Sequence, residues 1–255
     1  MPRLLLVLLF LLVIGGTAVA FAVTESKKLE TSEVSRTRFI GPDGQIVARN
    51  RVFSPVCDCD QAVAVLEFRL RRADRVTASI VDSSDEEVRR LIDGERLARG
   101  THQLEWDGLD DAGAVVPDGP YRLRLRLARA DRVFPVPMVF RVDTRASDVT
   151  LVRAGPTTIT PNGDGEQDKV WVRYVSSENA APRLAVGATI VSRGAVREAG
   201  RSALSWLGRV NGVASAPGDY ELFLTVKDRA GNVSAPIGPI EVTVAAGDGS
   251  QADSE

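Results

Sequence analysis

Two short stretches hold most of the side chains in this sequence that could do chemistry, and they share a frame. Residues 53–61 read FSPVCDCDQ and residues 159–167 read ITPNGDGEQ, each with an apolar residue, a hydroxyl and a proline ahead of a short core and a Gln. In the second stretch, Asn162, Asp164, Glu166 and Asp168 place oxygen donors at alternate positions of a glycine-bearing loop. That is the pattern of the first half of a calcium loop. The acidic residue that would close such a loop is missing, since position 173 is Arg. The competing reading is a turn in which Asn and Asp satisfy the backbone, and the incomplete donor set favours it. In the first stretch, Cys57 and Cys59 leave three readings open: a local disulfide, a cross-link between chains, or free thiols. The local bond is favoured outside the cytoplasm, because a turn brings two Cα atoms within the roughly 4.4–6.8 Å that a disulfide spans.

The rest of the chain offers little that could converge on a substrate. Its single histidine, His102, reads as a partly exposed residue at a strand edge rather than a general base. No glycine-rich phosphate loop and no Gly-x-Ser-x-Gly elbow occurs. One His and two Cys cannot fill a zinc site without carboxylates. Arg122, Arg124 and Arg126 could face anionic lipid or wall polymer, but a stripe of this kind is more often a solvated strand face paired with acidic neighbours. Asn232-Val233-Ser234 fits a glycosylation acceptor and is read as accidental. The expectation is a protein without catalysis and without a cofactor, apart from calcium at residues 162–168.

Charge and hydropathy narrow the class. The 255 residues carry 32 basic and 34 acidic side chains, net −2, which argues against a nucleic-acid partner. A hydrophobic content of 44% supports packed cores. Residues 4–23, LLLVLLFLLVIGGTAVAFAV, are uncharged throughout. At 1.5 Å per residue they would span about 30 Å as a helix, the hydrocarbon thickness of a bilayer. Residues 1–24 therefore read as a transmembrane anchor or as a signal peptide, with the small residues from Ala18 to Ala22 as the cleavage region. Residues 25–50 read as a polar stalk and residues 246–255 as a disordered acidic tail.

Between those ends the pattern is that of short strands. Residues 121–127, YRLRLRL, alternate leucine with arginine, and residues 63–71, 76–82, 136–142, 169–175, 220–226 and 240–244 are apolar or alternating runs bounded by turn residues. Residues 85–97 are ambiguous between helix and strand. Landmarks recur in one order: Pro55 and Pro161, Trp106 and Trp206, Tyr121 and Tyr220. This predicts an all-β chain of two tandem β-sandwiches, over residues 51–146 and 147–245, after an N-terminal transmembrane helix. Trp106 and Trp206 suit the centre of a small sandwich. Asp107-Gly108 and Asp118-Gly119, the latter after Pro117, suit tight turns. Tyr121 and Tyr220 stand where a hydroxyl can tie down a neighbouring loop.

The first half also resembles a known family. Val76-Thr77-Ala78-Ser79-Ile80-Val81-Asp82, Leu104-Glu105-Trp106-Asp107-Gly108, Asp111-Ala112-Gly113 and Val116-Pro117-Asp118-Gly119-Pro120-Tyr121 are similar to the immunoglobulin-like domain of the flagellar hook-capping protein FlgD. The resemblance covers roughly residues 53–143, and the Trp-Asp-Gly to Pro-Asp-Gly-x-Tyr spacing is its most specific part. The second half looks like a degenerate copy, with Leu207 in place of the aspartate after tryptophan. The flagellar protein's N-terminal assembly region has no counterpart here, so the resemblance implies the fold and not hook capping. The expected function is a non-catalytic, envelope-anchored protein displaying two immunoglobulin-like domains outside the cytoplasm. Its expected partners are the membrane and a protein or wall polymer, with the oligomeric state open. The alternatives are an appendage-assembly scaffold and a carbohydrate-binding module, the second disfavoured by an aromatic content of 5%.

Overall fold

A computed structural model describes residues 33–41, 43–47, 51–129 and 131–246. The expected anchor at residues 1–24, the start of the expected stalk and nearly all of the expected tail lie outside the described residues. Among the described residues no helix is long and apolar enough to cross a membrane, and every regular element is a strand.

The first half contains β1 (Val34–Ile40), β2 (Val52–Phe53), β3 (Ala64–Leu70), β4 (Asp74–Val81), β5 (Glu87–Leu97), β6 (Gly100–Trp106), β7 (Gly119–Leu127) and β8 (Arg132–Val142). They form two sheets, β1-β3-β6 and β2-β8-β7-β4-β5. Alternation decides which faces meet. Tyr121, Leu123, Leu125 and Leu127 of β7 are buried while the residues between them face outward. Leu66 and Phe68 of β3 approach from the opposite sheet within one core that also holds Trp106 and Phe140.

The second half contains β9 (Val149–Gly155), β10 (Thr158–Ile159), β11 (Val170–Ser176), β12 (Ala180–Val186), β13 (Thr189–Arg193), β14 (Gly200–Trp206), β15 (Arg209–Val210), β16 (Val213–Ala214), β17 (Gly218–Asp228) and β18 (Ile237–Val244). Its sheets are β14-β11-β9 and β10-β18-β17-β12-β13, with β15 and β16 forming a short separate ribbon. Strand for strand this is the first half again. Even the single parallel contact recurs, β2 beside β8 and β10 beside β18. A separate core gathers around Trp206, Tyr174 and Leu184.

Two sequence expectations change here. Part of the expected stalk is β1, the counterpart of β9, which pairs with β3 and buries Val34 and Phe39. The first sandwich therefore begins well before residue 51. The physical reason it was hidden is a bulge: Arg36 sits at φ 52 and the register shifts between Ser35 and Arg38, which breaks the alternation a strand otherwise shows. The ambiguous residues 85–97 are mostly β5, whose pairing with β4 shifts register three times.

Candidate functional site

The two related stretches close in the same way. The Ser54 N–H donates to the Gln61 carbonyl at 3.1 Å, and the Thr160 N–H to the Gln167 carbonyl at 2.9 Å. Each proline then packs on a glycine two residues past a buried tryptophan. A Cβ on Gly108 would lie 2.7 Å from Pro55, and one on Gly208 would lie 2.9 Å from Pro161. The indole N–H of Trp106 reaches the Leu109 carbonyl at 2.9 Å, and that of Trp206 the Arg209 carbonyl at 2.8 Å. The Tyr121 hydroxyl donates to the Pro117 carbonyl at 2.7 Å and the Tyr220 hydroxyl to the Ala216 carbonyl at 2.8 Å. Asp107 caps its own turn by accepting from the Leu109 N–H, and Asp118 accepts from the Thr144 N–H, the Thr144 hydroxyl and Arg145 Nε. These motif residues frame the fold.

Within residues 162–168 the oxygens mostly turn inward. Asp168 accepts from the N–H groups of Gly163 and Gly165, at 2.7 and 2.8 Å. Asp164 accepts from the Glu166 N–H and from the Asn162 amide, and these two bonds hold its carboxyl below the usual aspartate range. His102 lies on the edge strand β6, with Nε2 at 2.8 Å from the Ala98 carbonyl. The arginine stripe meets acidic neighbours: Arg122 pairs with Asp85 at 2.9 Å and Arg124 with Glu87 at 2.8 Å.

The densest chemistry lies where the two sandwiches meet. Cys57 and Cys59 form a disulfide with a Cα–Cα distance of 5.3 Å. It lies against Gly231, on the turn after β17, where φ is +107 and an added Cβ would collide with Cys59 Sγ. Beside it, Gln61 Nε2 donates to the Arg229 carbonyl at 3.3 Å. Asn232 Nδ2 reaches the carbonyls of Asp143 and Arg145, at 3.0 and 3.2 Å, in the segment joining the sandwiches. The turn is held by Asp228, whose Oδ1 accepts from the N–H groups of Gly231 and Asn232. Asp228 also converges with Asp143 and Glu178. Burial pushes the Asp143 and Glu178 carboxyls up, and the neighbouring carboxylates push them further. The sequence reading missed this trio, because its members stand in three segments far apart in the chain. The turn composition of Asp228-Arg229-Ala230-Gly231-Asn232 was the one local signal.

Residues 60–131 match the FlgD Ig-like domain family. The first sandwich is a FlgD-type immunoglobulin-like domain. The matched span takes in β3 to β7 with both turn motifs and leaves out the cysteines. Two proteins described as basal-body rod modification protein FlgD, from Salmonella typhimurium and Salmonella typhi, are each 43% identical over 53 residues. That stretch is 21% of this chain and 22% of each relative, so the chain spans about a fifth of their length. Among solved structures, the fibronectin(III)-like modules of Clostridium thermocellum CbhA align over 83% of this chain and 94% of theirs, at 12% identity and a TM-score of 0.41. The two sandwiches share a strand plan, and the contacts between them described above run through the disulfide, Gln61, Gly231 and Asn232.

Proposed function

We propose that this chain is a non-catalytic envelope protein, held at the membrane through residues 4–23, that displays two immunoglobulin-like sandwiches outside the cytoplasm in a structural or recognition role. The observation that carries this reading is the Cys57–Cys59 disulfide, since such bonds persist in oxidising compartments and are rare in the cytosol. The apolar run and the FlgD-type domain are consistent with it. The test is protease treatment of intact cells or spheroplasts: both sandwiches are expected to be digested while a cytoplasmic marker survives. Sandwiches protected until lysis would refute the reading.

A second reading, an appendage-assembly scaffold, is favoured by the 43% identity to the rod modification protein. It would be supported by co-purification with flagellar components. The carbohydrate-binding alternative gains little: Trp106 and Trp206 are core residues, and the half-exposed Trp171 has the Lys169 ammonium over its ring, 5.0 Å from the centroid.

A further inference from the structure

Asp143, Glu178 and Asp228 each offer one carboxylate oxygen, and these oxygens all lie within 4.8 Å of one another. Asp143 follows β8 in the joining segment, Glu178 sits between β11 and β12, and Asp228 ends β17. Among the described residues none of the three forms an ion pair, although Lys227 and Arg229 flank Asp228 in sequence, and Arg145, two residues from Asp143, pairs with Asp118. Arg51, Arg141 and Arg229 line the adjoining cleft without pairing to these carboxylates. Asp228 is held in place by the Gly231 and Asn232 N–H groups and by Asn232 Nδ2, which bonds its Oδ2 at 2.9 Å.

A second observation points to a ligand at the same place. Ser147 is 3% exposed, and its hydroxyl makes no hydrogen bond. It stands beside Glu178 without meeting that carboxylate in hydrogen-bond geometry. A buried hydroxyl left without a partner beside three clustered carboxylates is costly unless something else binds there.

The spacing identifies what fits. Calcium holds its oxygens at about 2.3–2.6 Å, so donors on opposite sides of one ion stand about 4.6–5.2 Å apart. A set confined within 4.8 Å matches a single ion. The donors are all oxygen, with no imidazole or thiolate, which selects a hard cation over zinc. A cleft of about 570 Å³ opens onto Asp143 and Glu178 and gives a hydrated ion a way in. Donors drawn from three separate segments of the chain suit the adaptable shell of calcium better than the strict octahedron of magnesium.

We propose that Asp143, Glu178 and Asp228, with Ser147 and water completing the shell, form a calcium site that fixes the joining segment to the second sandwich. The inference goes beyond the envelope reading and does not depend on it.

The test uses the full chain in mild detergent, stripped with a chelator and titrated with calcium chloride alone. Calorimetry should give one calcium per chain, and the melting temperature should rise on addition. Glu178→Gln and Asp143→Asn keep the shape of the side chain and should each weaken binding at least about tenfold. Asp164→Asn, in the 162–168 loop, should bind as wild type does. Asp228 is left intact because it also holds its own turn. No binding by the wild type, binding that survives both Glu178→Gln and Asp143→Asn, or binding abolished by Asp164→Asn would each overturn the proposal. Melting in chelator checks that the variants fold, so lost binding is not mistaken for lost structure.

Discussion

Gly108 and Glu87 show how single residues in the first sandwich do different work. Gly108 stands at φ +74 with Pro55 where its Cβ would be, whereas Gly113 has a similar φ of +81 but open space around it. Gly108→Ala should therefore cost more than the roughly 1–2 kcal/mol of a left-handed residue, and Gly113→Ala about that amount. Urea unfolding of the two variants compares them directly, and equal losses would deny Pro55 its role. Glu87 works through charge. Burial on its own would raise its carboxyl, but hydrogen bonds from Ser79, Arg90 and Arg124 hold it below the ordinary value of 4.5. A carboxyl depressed in the folded state contributes stability above its unfolded pKa and loses it as pH falls through the folded one. The stability difference between wild type and Glu87→Gln should be constant above about pH 5 and shrink below about pH 4. Unfolding curves measured across that range would show it. The pairing of arginines with acidic neighbours was foreseen from the stripe itself, because a strict period of two fixes which side chains share a face. Which acids they would meet was not, since register sets that.

At the scale of elements, legibility followed regularity. β7 alternates without a break and stood out in the sequence, while β1 and β5 carry register shifts and did not. The strand order was partly implied by the tryptophan and tyrosine landmarks, which hold the same places in β6 and β14 and in β7 and β17. Their carbonyl partners lie three or four residues away in both copies, so the local sequence carried that geometry. The identity of β1 as a strand makes a sharp prediction. Phe39 is 4% exposed, and its ring centroid lies 6.0 Å from that of Phe140. Phe39→Ala should destabilise the first sandwich by about 3–5 kcal/mol, as loss of a core aromatic does. A residue in a solvated stalk would change stability by no more than about 0.5 kcal/mol. Chemical denaturation separates these outcomes by a wide margin.

For the whole molecule, duplication is the organising fact and the junction is where the copies differ. The opening turn of the first sandwich has a disulfide where the second has Gly163 and Gly165, and the disulfide packs on Gly231 of the second sandwich. The paired turns and the local disulfide were legible in the sequence, but the packing on Gly231 was not, because contacts between residues as distant as Gln61 and Arg229 follow from how two finished domains meet. Gly231→Ala should loosen that meeting: the joining residues 143–148 should be cut faster by protease and the first sandwich should melt as before, while the second loses the roughly 1–2 kcal/mol of a left-handed residue. An unchanged cleavage rate would show that the disulfide does not brace the junction. The central claim, a tandem of sandwiches working outside the cytoplasm, is tested most directly by the state of Cys57 and Cys59 in the cell. Cells quenched in acid and treated with a maleimide, before and after reduction, report that state by mass. The account predicts a monomer whose two cysteines take up label only after reduction; two cysteines labelled without reductant would contradict it.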